Sequence, residues 1–161
     1  IDSAPSDWSI YWCAGAGVTA TPASALEQEE RVWQAFLDEL ALLPEDVRER
    51  GSLFLASSVG GAYAGNPLPP FTEHSTAASL SAYGAAKLRM EERIRALSAS
   101  TGIRTFVARV TNLYGPGQDL SKGQGLISTI ARTYLTNQPA SIFVSLDTIR
   151  DYIYADDCAA V

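Results

Sequence analysis

Ser52-Leu53-Phe54-Leu55-Ala56-Ser57, a helical stretch from about Ala82 to Ser100 closed by Gly102, and Arg104-Thr105-Phe106-Val107-Ala108-Arg109-Val110 together decide the fold. The two flanking runs are short, largely apolar and bounded by turn residues, which predicts strands. A strand, a long helix and a second strand in that order make a βαβ unit, and the sheet it implies is parallel. The pattern extends upstream. Trp8-Ser9-Ile10-Tyr11-Trp12-Cys13 reads as another buried strand, and Thr21 as the N-cap of a helix with Pro22 in its first position. Leu26, Val32, Trp33, Phe36, Leu37, Leu40 and Leu43 then recur at three- and four-residue spacing as far as Pro44, with Glu27, Glu29, Glu30, Arg31, Asp38 and Glu39 on the wetter side. A Gly- and Pro-rich loop is expected from Val59 to about Leu80 and another from Thr111 to about Lys122. Beyond them, Gly125 to Asn137 predicts a helix, Ser141 to Val144 and Tyr152 to Tyr154 short strands, and Asp156 or Asp157 the cap of a last helix. The fold class is α/β, a doubly wound parallel sheet with helices on both faces.

Composition narrows the function classes. The chain has 161 residues, 47% hydrophobic and 19% charged, enough for one domain with a sizeable core. Its net charge of −6 argues against nucleic acid or an anionic membrane surface as partner, since both require a concentrated positive field. No apolar run approaches the ~20 residues that span a bilayer, and Ile1-Asp2-Ser3-Ala4-Pro5 lacks the features of a signal peptide. Cys13 and Cys158 are far apart and His74 is the sole histidine, so neither a zinc site nor a disulfide framework is expected. The expectation is a soluble, cytoplasmic protein without a metal.

In an open parallel sheet, ligands sit beyond the carboxyl ends of the strands. Three strands lead into polar or glycine-rich segments: Cys13-Ala14-Gly15-Ala16-Gly17, Ser57-Ser58-Val59-Gly60-Gly61 and Thr111-Asn112-Leu113-Tyr114-Gly115. Topology therefore gathers them at one sheet edge. Gly15-Ala16-Gly17-Val18-Thr19-Ala20 fits G-x-G-x-x-A, but a pyrophosphate loop needs its helix to begin inside the motif, and Pro22 sets that start later. The alternative is a strand end whose small residues let the backbone approach a neighbour or a ligand.

Tyr83-Gly84-Ala85-Ala86-Lys87 places a phenol and an ammonium four residues apart on one helix face. A free phenol, with a pKa of about 10, is a poor base at neutral pH. A nearby ammonium favours the phenolate and lowers that value, which would make Tyr83 an acid/base for moving a hydroxyl proton. The other reading is an ordinary helix start with a solvated lysine.

Around this pair the sequence resembles the extended short-chain dehydrogenase/reductase family, specifically its NAD-dependent nucleotide-sugar epimerases and dehydratases. The resemblance runs in order through Leu55-Ala56-Ser57-Ser58, Ala62-Tyr63, Phe71-Thr72-Glu73, Ser81-Ala82-Tyr83-Gly84-Ala85-Ala86-Lys87 and Glu91. It continues through Arg109-Val110-Thr111-Asn112-Leu113-Tyr114-Gly115-Pro116-Gly117 and Arg150-Asp151-Tyr152-Ile153-Tyr154-Ala155-Asp156-Asp157. It implies a Rossmann-like three-layer fold, here incomplete: residues 1–161 would be the central and catalytic part of one NAD(P)-binding domain, with substrate-domain elements starting from about residue 118.

The resemblance also implies roles. Tyr83 is the general acid/base, Lys87 lowers its pKa and holds the nicotinamide ribose, and Ser58 binds the reacting sugar oxygen. Counting from Tyr63 instead puts the family's hydroxyl position at Val59, so the third catalytic group is either Ser58 or absent. Ala14, Gly15, Ser57, Tyr83 and Lys87 would contact the cofactor, NAD with NADP as the alternative. Asn112 and Arg150 would contact the substrate's nucleotide diphosphate, while Arg150 could instead pair with Asp151, Asp156 or Asp157. Family 4,6-dehydratases carry an acidic pair straight after the catalytic hydroxyl; here Val59-Gly60-Gly61 holds no carboxylate, which favours an epimerase or reductase. A homodimer is implied for the full-length protein, and the chain alone is expected to be inactive.

Two other functions are compatible with parts of the sequence. The competing function is a non-catalytic dinucleotide-binding protein acting through a partner. A serine-hydrolase triad would have to use His74, in a Pro-rich loop, without any G-x-S-x-G elbow. Trp8, Trp12 and Trp33 are expected in the core rather than as a stacking platform.

Overall fold

The computed structural model describes residues 6–15, 17, 21–120, 125–142, 144–145 and 147–161. The chain divides into two compact units, residues 1–109 and 110–161.

The first unit is built on a three-stranded sheet in the order β1-β2-β3, with β1 at Trp8–Trp12, β2 at Gly51–Ser58 and β3 at Arg104–Val110. β1 and β2 run parallel, Trp12 facing Leu55 in register, so their carboxyl ends share an edge. Helix α1 (Ala23–Ala41) joins β1 to β2, followed by the single turn α2 (Glu45–Arg48). Helix α4 (Ala82–Thr101) leads from β2 to β3, preceded by the short α3 (Val59–Tyr63).

The period-two pattern of β2 is plain: Leu53, Leu55 and Ser57 are buried, while the residues between them are half-exposed. Leu53 and Leu55 meet Trp33, Leu37 and Leu40 of α1 and Met90, Ile94 and Leu97 of α4 in one core. The three tryptophans lie where the sequence puts them. Trp33 is fully buried, its ring tilted against that of Trp12 at 4.9 Å, and it donates its indole N–H to the Met90 carbonyl. Trp8 packs against the core and donates to the Val47 carbonyl.

Both long helices pack on this face. The opposite face carries Tyr11 and Phe54, whose rings lie 5.4 Å apart, and Phe106; Tyr11 is 69% exposed. The expected covering of both faces is thus half realised among the described residues.

Several local expectations change. α1 begins at Ala23 with Pro22 as its N-cap residue and no side-chain cap; the Pro22 carbonyl accepts from the N–H groups of Ala25 and Leu26. Thr21 is therefore one residue too early to be the cap. Glu30 is not on a wet face. It is buried and held by a two-pronged bond from Arg89, at 2.9 and 2.6 Å, with Arg93 donating to its carbonyl, which ties α1 to α4. Arg89 holds the Glu30 carboxyl below its ordinary range, against the opposing effect of burial. α3 occupies part of the expected loop because Ser58 caps it, accepting from the Gly61 N–H. The remaining loop is pinned by Gly65 and Ala62, which pair with Ala78, and by Asn66, which donates to the Thr76 carbonyl. Gly102, in the left-handed conformation, closes α4 as read from the sequence.

The second unit contains β4 (Asn112–Tyr114), α5 (Leu126–Leu135), β5 (Tyr152–Tyr154) and α6 (Ala155–Ala159). β4 and β5 pair in parallel, and the Tyr114 and Tyr154 rings meet edge to face at 5.5 Å. β4 falls inside the segment expected to be a loop. Ser141, Ile142 and Val144 form no strand, and Phe143 lies outside the described residues. α6 starts after Tyr154, with Asp156 and Asp157 in its first turn rather than at its cap, where they complement the helix dipole. Among the described residues, no helix is long and apolar enough to cross a membrane.

Candidate active site

Two serine-capped helices meet at the carboxyl edge of the sheet. Ser58, the last residue of β2, caps α3; Ser81 caps α4, accepting from the Gly84 N–H at 3.0 Å. The helices touch through glycines. A Cβ on Gly84 would lie 2.3 Å from the Gly61 carbonyl oxygen, and one on Gly61 would lie 3.2 Å from the Gly84 Cα. Only a residue without a side chain permits this approach. It brings Ser58 to Tyr83, the residue just before Gly84, and a side-chain hydrogen bond joins their hydroxyls.

One turn further along α4, Lys87 is buried, with 8% of its surface exposed, and its Nζ lies 5.9 Å from the centroid of the Tyr83 ring. The strand-end glycines complete the edge: the space a Cβ on Gly17 would fill is bordered by the Tyr83 ring, Leu26 and the Glu29 carboxylate. Ala14 and Gly15 are exposed beside it. Ser58, Tyr83, Lys87, Gly15 and Gly17 therefore come together. Ala16 and Val18 to Ala20, the rest of the G-x-G-x-x-A match, lie outside the described residues.

The electrostatics differ from the simple phenol–ammonium picture. Burial pushes the Tyr83 phenol up, and the Glu29 carboxylate adds to that; the hydrogen bond to Ser58 opposes both, and the net direction is upward. Burial pushes the Lys87 ammonium down, against the pull of Glu29 and of Cys13, and the net direction is downward. In the free chain the phenol thus answers to burial first, then to Ser58 and Glu29, while the Lys87 ammonium stands 5.9 Å from the ring centre.

Directly beneath the site lies a buried ionic network. Glu91, fully buried on α4, accepts from Ser57 at 2.6 Å, from Arg109 at 3.0 and 2.7 Å, and from Arg95 at 2.8 Å. Arg109 also donates to the Tyr63 hydroxyl, which in turn donates to the Thr72 carbonyl, and its guanidinium lies 4.8 Å from the centre of that ring. Burial would raise the Glu91 carboxyl, but the bonds from Arg109, Ser57 and Arg95 outweigh it and hold it low. Ser57 thus spends its hydroxyl on Glu91. The network locks the end of β2, and with it Ser58, to α4 and β3.

In the second unit, Asn112 is exposed, and its carboxamide donates to the Asp151 carbonyl at 2.9 Å, reinforced by Thr111 at 2.7 Å. Arg150 is exposed and donates to the Ile149 carbonyl. It enters none of the ion pairs among the described residues, so the alternative pairing with Asp151, Asp156 or Asp157 does not form. His74 is exposed and pairs with its neighbour Glu73 at 3.7 Å.

The family model described as NAD dependent epimerase/dehydratase family matches residues 9–161. The chain belongs to this family. Among curated relatives, the dTDP-glucose 4,6-dehydratase of Salmonella typhimurium is 35% identical over 92 residues, covering 57% of this chain and 25% of that protein. The UDP-glucose 4-epimerase of Azospirillum brasilense is 26% identical over 157 residues, covering 89% of this chain and 45% of that protein. Among solved structures, the UDP-glucose 4-epimerase of Thermotoga maritima with UDP-glucose superimposes with a TM-score of 0.79 at 23% identity. That match covers 94% of this chain and 49% of the other. The chain thus spans a quarter to a half of the length of these relatives, and it shares the parallel-sheet α/β fold of the Thermotoga maritima structure.

For a chain of the NAD dependent epimerase/dehydratase family, sequence reading missed three features of the site. Glu29 was assigned to a solvated face, yet it faces the Tyr83 and Lys87 side chains. Gly61 and Gly84 carried no signal beyond small size, and only their mutual contact shows why. Glu91 and Arg109 lay in the quoted motifs without a physical role; a carboxylate and an arginine on apolar stretches of a helix and a strand was the available clue.

Proposed function

We propose that this chain is the catalytic part of an NAD-dependent enzyme that oxidises and reduces a nucleotide sugar, of the epimerase or reductase type. The observation that carries the reading is the joining of Ser58, Tyr83 and Lys87 at the carboxyl edge of the sheet, beside strand-end glycines. The edge fits a dinucleotide. Gly15 and Gly17 put no side chain between the strand end and a ligand, and Lys87 is a buried donor assigned to the ribose hydroxyls; Ala14 and Ser57 are the other assigned contacts. Bound there, NAD would supply the hydride acceptor.

Tyr83, a phenol in the free protein, first gives its proton to solvent; as the phenolate it takes the proton of the sugar hydroxyl undergoing oxidation, and the resulting phenol returns that proton when the carbonyl is reduced. Ser58 stands in hydrogen-bond contact with the phenol and orients that hydroxyl. Lys87 supplies the positive charge that stabilises the phenolate while the proton is away. In the second unit, Arg150 has its planar fork available for phosphate oxygens and Asn112 stands at the start of β4; both are assigned to the nucleotide diphosphate. No carboxylate follows Ser58 through Tyr63, so the second acid or base that water elimination requires is not supplied by α3. This supports epimerisation or reduction over 4,6-dehydration.

The test is turnover of UDP- and dTDP-sugars by the full-length protein, with Tyr83→Phe as the decisive variant. Loss of turnover with retained NAD binding supports the reading, and unchanged turnover sinks it.

A further inference from the structure

We propose that Glu29 is a positioning residue of this site: from α1 its carboxylate keeps a negative charge beside the Tyr83 phenol and within the field of the Lys87 ammonium. The inference rests on the reading of Tyr83 and Lys87 as the acid/base pair. Its geometry comes from the strand-end glycines. The Cβ position of Gly15 lies 3.1 Å from Glu29 Oε2, and that of Gly17 lies 3.3 Å from the same oxygen and 3.2 Å from Tyr83 Cδ2. The carboxylate oxygen and the tyrosine ring therefore lie within about 6.5 Å of each other across Gly17. Any side chain at Gly17 would meet both. Glu29 is half-buried, so its field is screened less than that of a solvated carboxylate.

The charged and titratable groups facing the pair can be named from each element packed against it. α1 contributes Glu29, the end of β1 contributes Cys13, and α4 contributes Tyr83 and Lys87 to each other; Ser58, from β2, is neutral. Among the described residues, Glu29 is the carboxylate that acts on both members. An anion beside an ammonium favours its charged form, and beside a phenol it disfavours the phenolate. Both effects run the same way here. Glu29 thus favours the charged form of Lys87 and the protonated form of Tyr83.

The chain has two lysines, Lys87 and Lys122, so 13Cε-lysine NMR follows Lys87 with one neighbour to distinguish. Tyr83 is followed by 13Cζ-tyrosine NMR, with Y83F and K87R assigning the signals. Glu29→Gln is expected to move both titration midpoints to lower pH, Glu29→Asp to restore most of the movement, and Glu27→Gln, on the exposed side of the same helix, to move neither. Midpoints unchanged in E29Q, with thermal unfolding showing an intact fold, would overturn the proposal. These midpoints are read without substrate or cofactor. Their failure to move therefore counts against Glu29 alone, whereas failure of the acid/base reading shows in the turnover of Y83F.

Discussion

Gly61 and Gly84 meet backbone to backbone, with the Gly61 carbonyl oxygen 2.3 Å from where a Gly84 Cβ would stand. Two helix starts are joined at this point, and it determines whether Ser58 reaches Tyr83. Gly84→Ala sets two effects against each other. Alanine in a helix is favoured over glycine by about 1 kcal/mol, whereas overpacking against fixed backbone costs about 1–3 kcal/mol. The obstacle is a carbonyl rather than a flexible side chain, so the second effect is expected to win. Denaturant unfolding should show a lower midpoint for G84A, and a higher midpoint would contradict the close contact.

Removing a buried carboxylate should hurt in proportion to how much cation it leaves stranded. Glu91 is fully exposure-free and holds Arg109, whose side chain is only 19% exposed; Glu30 holds Arg89 and Arg93, at 51% and 34%. Breaking a buried pair costs about 3–5 kcal/mol, and a wetter one far less. Glu91→Gln is therefore expected to lower the unfolding free energy more than Glu30→Gln does. Equal losses in the two variants would show that the network beneath the site contributes nothing special.

The same carboxylates set the acid limb of stability. Both are held below their ordinary values in the folded chain. Their contribution is complete above the unfolded carboxylate pKa of about 4.3 and is lost as pH falls through the depressed folded values. Tyr83 acts at the other end. Its folded value is raised, so its contribution is present below the unfolded value near 10 and is lost as pH rises through the folded one. Unfolding free energy against pH should fall at both ends, with E91Q flattening the acid limb and Y83F the alkaline limb.

Ser58 opposes burial at the Tyr83 phenol, so removing it has a definite sign. In Ser58→Ala the phenol should titrate at still higher pH than in the wild type. Tyrosinate absorbance, corrected with Y83F to isolate one phenol among seven tyrosines, reads this directly. A midpoint that falls in S58A would mean that Ser58 does not donate to the phenol oxygen.

The strand and helix order was legible because each core element advertises a period: Leu53 and Leu55 alternate on β2, and Trp33, Leu37 and Leu40 recur on α1. Tyr83, Lys87 and Ser58 were legible as a set because their types and spacing carry the chemistry. What stayed hidden depends on long-range contact. Glu30 and Glu29 are adjacent acidic residues on one helix, yet one is drawn inward by Arg89, 59 residues away, and the other turns to the strand-end glycines. No local pattern separates them. The Ser141–Val144 segment failed for the opposite reason: a β-prone stretch finds no partner among the described strands, and Ile142 and Val144 remain exposed. β4 was missed because three residues after β3 carry no period of their own, and its existence depends on pairing with Tyr152–Tyr154.

Tyr83 is the residue on which the functional reading turns. The most direct measurement compares wild-type and Y83F full-length protein for interconversion of UDP- and dTDP-sugars, alongside NAD affinity by calorimetry. Loss of an acid/base group is expected to cut kcat by about 10²-fold or more, with NAD affinity close to the wild-type value. Turnover by Y83F at the wild-type rate would contradict the assignment of proton transfer to Tyr83.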